Sequence, residues 1–197
     1  MGIALYVSQP DRIEDVAREI ERFGALAGTE SVANPAAAAF RARHAALAAR
    51  FSQRPVVDVF YQIWKQPLMT VNDKQIISDV IRLCGGRNVF GSLPILAPTV
   101  TVEAVITANP EVIVASGMGD ERPEWLNDWR RWKTLAAVKR DNLYFIPPQE
   151  IQRHTPRLLD GAEKLCLALD SAREKRPTNR PANNDQLNPQ ANAQRSK

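Results

Sequence analysis

Three short apolar runs limit what this chain can become: VVDVFY at 56–61, EVIVA at 111–115 and LYFI at 143–146. Each is rich in β-branched or aromatic side chains and too short for a helix, so each reads as a buried strand. The segments between them carry apolar residues at helical spacing instead. Within 73–84, Ile76, Ile77, Val80, Ile81 and Cys84 share one side, and Gly85-Gly86 follows as a stop. Residues 88–90 read as a further short strand. Thr101 opens a short helix to Ala108, and Asn109-Pro110 turns the chain. Residues 123–132 read as helical. Thr155-Pro156 opens a last helix, with Leu158, Ala162, Leu165, Cys166 and Leu169 on one face. Strands that alternate with helices imply a parallel sheet with right-handed crossovers. The predicted fold class is therefore α/β, with residues 55–175 as one complete unit.

The flanks read differently. IALYV at 3–7 predicts a short strand, and Asp11 with Glu14 fits a capping box for a helix carrying Ile13, Val16, Ala17, Ile20 and Phe23. Gly28 is the expected stop. Asn34-Pro35 reads as a second helix start. The helix it predicts over 35–52 would be about 27 Å long. Its only bulky stripe is Phe40, His44, Leu47 and Phe51, which suits a connecting strut. Residues 176–197 hold almost no apolar side chains and are expected to be disordered.

Composition narrows the class. At 44% hydrophobic and 24% charged, the 197 residues suit a globular chain and not a coiled coil, a collagen or a disulfide miniprotein. The net charge is +4, but Arg176, Arg180, Arg195 and Lys197 against Asp185 place most of it in the tail. No basic patch with interleaved aromatics appears in the body, so no nucleic-acid partner is expected. No apolar run approaches the roughly 20 residues of a spanning helix. Met1–Pro10 has neither a basic n-region nor a cleavage site, so the chain is expected to be cytoplasmic if Met1 is the true start.

Topology locates a site before any motif does. Ligands of open α/β sheets bind outside the carboxyl ends of the strands. The loops there are 62–70, 91–99, 116–122 and 147–154. The first (QIWKQPLMT) and the last (PPQEIQRH) mix apolar or aromatic groups with hydrogen-bonding ones, which suits a bulky amphipathic ligand. No catalytic constellation is legible, and no enzyme activity is expected. His44 reads as a packing residue, and His154 has no partner at metal-ligand spacing. GxSxG, Walker A and GxGxxG are absent. Trp125, Trp129 and Trp132 recur at helical spacing and read as packing. Trp64 lies past a strand end beside Lys65 and Gln66, where a ligand-facing role and a packing role are both open. Cys84 and Cys166 look buried, and taken alone they say little.

Three segments carry a family resemblance: VFYQIWKQPLMTVNDKQIISDVIRLCGGRNVFGSL, APTVTVEAVITANPEVIVASG and LYFIPPQEIQRHTPRLLDGAEKLC. In this order, with CGGxNxF, VExV…PxxI and TPRLL…LC at family-like spacing, they resemble the C-terminal lobe of periplasmic vitamin B12-binding proteins. These are the substrate-binding components of cobalamin ABC importers, and siderophore-binding relatives share their fold. The resemblance covers residues 2–170. It implies two α/β lobes joined by one rigid helix, with 1–33 a remnant of the N-terminal lobe, 34–54 the inter-lobe helix, 55–175 the ligand-binding lobe and 176–197 a tail. Most of the N-terminal lobe and a signal peptide are then expected to be missing from this stretch.

By the same resemblance, the chain captures cobalamin as a transported ligand and not as a cofactor. It works as a monomer in the periplasm and delivers its ligand to the permease. A ferric siderophore or haem as ligand, and a non-functional truncated product, are the alternatives. Cys84 and Cys166 match a disulfide pair, and Glu103 matches a glutamate that docks onto permease arginines, although a carboxylate in a first helical turn is also favoured by the helix dipole. Gln149, Glu150, Ile151, Gln152 and Arg153 match a ligand-contacting loop. Ile63 and Met69 stand at positions that are aromatic in enteric members, and Ala97 stands at a ligand-facing tryptophan position. Trp64 is placed to supply the missing ring.

Overall fold

A computed structural model describes residues 5–117, 119 and 121–177. Its elements, in chain order, begin with α1 (Ile13–Ala27), α2 (Glu30–Phe51), β1 (Val57–Gln62), α3 (Ile76–Leu83) and β2 (Gly86–Asn88). They continue with α4 (Val102–Ala108), β3 (Val112–Ala115), a 3₁₀ helix (Glu124–Arg131), α5 (Ala136–Lys139), β4 (Leu143–Phe145), α6 (Pro148–Ile151) and α7 (Leu158–Glu174). The four strands form one parallel sheet in the order β2-β1-β3-β4. The α/β class expected from the alternation of elements is what the chain forms.

Period-2 alternation sends side chains to both faces of the sheet. Val57, Val59, Tyr61, Val112 and Val114 pack with residues of α1, α2, α3 and α7 on one face. Phe60, Ile113 and Ala115 pack on the other with Val105 of α4, Leu126 and Trp129 of the 3₁₀ helix and Ala137 of α5. A sheet covered on both faces needs near-continuous apolar strands: β3 is apolar and buried throughout, and β1 is apolar between Asp58 near its amino end and Gln62 at its carboxyl end. Thr101 caps α4 as expected, its hydroxyl accepting from the Ala104 N–H at 3.1 Å. Gly85 follows α3 at φ +68, where a side chain would be strained and would collide with the Phe51 carbonyl.

Several local expectations are corrected. The strand predicted at 3–7 does not form over the described residues 5–7. Leu5 and Val7 are exposed, and Tyr6 instead donates to Glu19 at 2.8 Å and packs edge-on against Phe23. An extended segment with no neighbouring strand has nothing to satisfy its backbone groups as a strand would. The cap of α1 is not the Asp11/Glu14 pair. Asp15 accepts from the Arg12 and Asp11 N–H groups, and Glu14 turns to Arg41 of α2. Asn34-Pro35 does not start α2. The helix begins at Glu30, one residue beyond Gly28 at φ +66 and its N-cap Thr29, and runs through Pro35. A tight α1–α2 hairpin brings Gly24 against Ala33, and any Cβ at Gly24 would overlap it. The strand expected at 88–90 forms at 86–88 in register with β1, Asp58 meeting Arg87 as an ion pair. The 123–132 segment coils as a 3₁₀ helix. Arg176, expected to begin the tail, instead binds Glu111 at 2.7 Å. The expectation for 178–197 lies outside the described residues.

Two devices tie the unit together. Cys84, capping α3, and Cys166, inside α7, are joined as a disulfide with Cα atoms 4.6 Å apart, as the resemblance implied. At the amino ends of the strands, Glu111 takes hydrogen bonds from Arg176 and Arg140. Burial alone would raise the Glu111 carboxyl, but the hydrogen bonds and charge of Arg176, helped by Arg140, hold it below the ordinary carboxylate value.

Both devices yield a test. The disulfide closes 82 residues, so replacing both cysteines by serine should lower unfolding free energy by up to roughly 4–5 kcal/mol in the chain-entropy picture. Urea unfolding with and without reductant measures it, and unchanged midpoints would remove the role. A carboxyl lowered on folding adds stability above its unfolded value, and that stability is lost as pH falls through the lower folded value. Glu111→Gln should thus cost about 1 kcal/mol at neutral pH, a solvent-screened ion-pair magnitude. The variant should then lose less than the parent on acidification from about pH 5 to about pH 3. Parallel melts across that range would show it.

Candidate functional site

The chain runs from β1 to β2 on one side and then returns to β3 on the other, so the sheet's switch point lies between β1 and β3. The carboxyl ends of these two strands border the main cavity, of about 600 Å³. Its wall after β1 is Ile63, Trp64, Pro67 and Met69, followed by Val71, Gln75 and Ile77 leading into α3. Leu96 and Ala97 form the facing wall, with Gly117 after β3 and Gln152 after β4.

Local hydrogen bonds fix this shape. Ile63 N–H donates to the Met69 carbonyl at 3.0 Å, and Met69 N–H donates to the Trp64 carbonyl at 3.3 Å, so residues 63–69 close on themselves as a clip. The clip is tied to the facing loop where Thr70 N–H meets the Pro98 carbonyl and Val100 N–H meets the Leu68 carbonyl. Asn72 N–H holds the Leu96 carbonyl at 3.0 Å. The Trp64 indole N–H donates to the Gln66 carbonyl at 2.9 Å, leaving a ring that is 38% exposed and faces the cavity. Gln152 Nε2 donates to the Ser116 carbonyl at 2.8 Å and to its Oγ at 3.1 Å. Tyr61 lies beneath, fully buried, and burial pushes its phenol up although Ser116 and Gln152 act against that.

The sequence-predicted residues separate here. Ile63, Trp64, Met69 and Gln152 come together around the cavity. Ala97 lines it too, at the position where the resemblance expects a tryptophan. Ile151, from the same predicted loop, is fully buried in the core under α7. Glu150 pairs with Lys164 at 2.6 Å, Gln149 is half-buried, and Arg153 is exposed beside Gln152. A one-turn helix, α6, causes this split, because it turns successive residues in different directions. Glu103 is exposed in the first turn of α4 and makes no ion pair among the described residues.

Sequence reasoning missed Val71, Gln75, Ile77 and Leu96. The 91–99 loop lies at a strand end, but nothing in its composition singles out Leu96. Gln75 looks like an ordinary helix cap, and it is one, accepting from the Ile77 N–H. The tryptophan stripe packs as expected: Trp129 is buried, and Trp125 and Trp132 pack partly buried against the same core. All three also line a smaller cleft of about 110 Å³ with Lys65 and Asp128. Those two charges pair at 2.9 Å, and the Lys65 hydrogen bond lowers the Asp128 carboxyl.

The cavity is therefore apolar over its described lining, with one indole face and two amides as its notable groups. Such a wall orients and desolvates a ligand.

Comparison with known proteins agrees with this geometry. The vitamin B12-binding protein of Vibrio parahaemolyticus is 33% identical over 178 residues, which is 89% of this chain and 63% of that protein. The one from Vibrio campbellii is 34% identical over 180 residues, again 63% of its length. The chain thus spans less than two thirds of these relatives. The crystal structure of the periplasmic vitamin B12-binding protein of Vibrio cholerae superposes with a TM-score of 0.80 at 29% identity, covering 88% of this chain and 67% of that one. A periplasmic haem-binding protein from Roseiflexus superposes at 0.71 with 19% identity, covering 83% of this chain and 65% of that one, a likeness of fold alone. The family described as periplasmic binding protein matches residues 2–150, and the chain belongs to that family.

Proposed function

We propose that this chain carries the corrinoid-gripping lobe of a periplasmic binding protein that delivers cobalamin to the permease of an ABC importer. The observation that carries the reading is the cavity at the carboxyl ends of β1 and β3. It presents an apolar floor and an exposed indole, and relatives at 33–34% identity are vitamin B12-binding proteins. A corrin is a wide, mostly apolar ring fringed with amides. Trp64 and Met69 offer it a platform, Gln152 offers its Oε1 as an acceptor while its Nε2 is held by Ser116, and the neighbouring Arg153 offers donors at the fringe. Ligand is held and released unchanged, which suits a mostly apolar described lining.

The disulfide supports a periplasmic location, since such bonds persist in oxidising compartments. Among the described residues no helix is long and apolar enough to cross a membrane. Helix α2 serves as the connector to an opposing lobe. Phe40, Leu47 and Phe51 of α2 pack into the lobe's core, and Arg43 adds solvent-screened pairs to Asp160 and Glu163 of α7. Glu103, free on the surface, is the docking carboxylate for a basic site on the permease. Charge at such a rim sets orientation and on-rate more than affinity.

Spectrophotometric titration with cyanocobalamin tests the ligand. Binding should be weak for this chain and much tighter when it is fused behind the N-terminal lobe of the Vibrio parahaemolyticus relative, because a single lobe covers only one side of the ring. Haem and a ferric siderophore titrated in parallel should bind more weakly, and a reversed order would transfer the proposal to that ligand. Trp64→Ala should weaken cyanocobalamin about ten-fold, the magnitude of one aromatic contact. An unchanged affinity would make Trp64 a packing residue. Glu103→Ala should leave affinity intact and reduce ligand uptake in cells with the matching permease, and unimpaired uptake would end the docking role.

A further inference from the structure

The last residue of β1 is a glutamine in an aromatic setting. Gln62 is 2% exposed, and its strand neighbour on the same face, Phe60, meets the Trp129 ring edge-on at 5.7 Å. A buried amide is costly unless both its ends are satisfied. Here both are, and by partners on opposite sides. Oε1 accepts from Trp129 Nε1 at 2.8 Å, and Nε2 donates to the Trp64 carbonyl at 3.2 Å. That same carbonyl accepts the Met69 N–H that closes the clip. The clip carries the Trp64 ring, and the ring's own N–H is held within the clip by Gln66. A second tether, Lys65 to Asp128, has both side chains about half exposed, so solvent screens it.

We infer that Gln62 is a positioning residue: its side-chain amide fixes the Trp64 wall of the ligand cavity against Trp129 of the 3₁₀ helix. The inference rests on the proposed cobalamin site for its effect on binding, but not for its effect on the clip. A leucine or methionine would fill the same volume and continue the apolar strand. Only an amide can hold an indole N–H with one atom and a loop carbonyl with the next. The interaction also links the two clefts, because Gln62 and Trp129 line the smaller one while Trp64 lines the larger.

The test uses the full chain as Gln62→Met, which keeps side-chain length, and as Trp129→Phe, which keeps a ring but removes the N–H. Amide hydrogen exchange of Met69 reads the clip directly. Each variant should speed it about five-fold, the factor one hydrogen bond supplies, while protection in β3 stays unchanged. The double variant should be no faster than Gln62→Met alone, since that substitution already removes the bond that Trp129→Phe removes. Rates that multiply in the double variant, or a Met69 rate unchanged in both singles, would overturn the inference. With cyanocobalamin as probe, Gln62→Met should weaken affinity in the parent about five-fold and have no further effect in a Trp64→Ala background. An equal loss in both backgrounds would also overturn it. Absence of cyanocobalamin binding to the unmodified chain and its two-lobed fusion would instead remove the proposed ligand, and the exchange result would still decide the role of Gln62.

Discussion

Every functional feature of this molecule depends on β1 lying inside a parallel sheet. Val57–Gln62 hydrogen-bonds to β2 on one side and to β3 on the other, and both its faces are covered by helices. Parallel pairing sends all carboxyl ends the same way, so the loops after β1, β3 and β4 emerge together. The strand order then reverses between β1 and β3 and leaves a gap where the two loops diverge. The cavity is the consequence of this topology. Its residues come from five stretches of chain that share no local motif.

The two ends of the sheet are built to different chemistry. The amino ends are closed by charge: Arg173 donates to the carbonyls of Pro55, Cys84 and Gly85, and Arg176 clasps Glu111. The disulfide clamps α3 to α7 on the adjoining face. The carboxyl ends use neutral amides and hydroxyls instead. Gln62, Ser116 and Gln152 bond loops to strand ends through neutral groups, with the Lys65–Asp128 ion pair kept in the adjoining smaller cleft. The amino end is thus fixed by charge and a covalent bond, whereas the carboxyl end leaves an open apolar wall.

The α1–α2 hairpin has a different relation to the core. Phe40, Leu47 and Phe51 of α2 are buried against the sheet-covering helices, and Arg41 binds Glu14 and Glu21 across the hairpin. Leu5, Val7, Phe23, Leu26 and Val32 remain exposed around its far end. Apolar residues on one stripe and not the other are what a helix shows when only part of its surface meets the lobe it is attached to.

The sequence by itself determined the α/β class, because short β-branched runs and helical periodicities are local properties of the chain. It also determined the α4 cap at Thr101, the left-handed stop at Gly85 and the buried stripe of α7. Trp64 was legible as a candidate because a tryptophan past a strand end has no strand face to occupy. Tertiary structure decided the rest. It left 5–7 unpaired for want of a neighbouring strand, and it carried α2 through Pro35 because Gly28 had already turned the chain. It buried Ile151 while bringing Gln152 to the cavity, since one turn of helix separates neighbours that a sequence lists side by side. It added Gln75 and Leu96, and it turned Gln62 from a strand terminus into a tether. Contacts between residues far apart in the chain depend on strand order and loop packing, and neither is encoded in any single stretch.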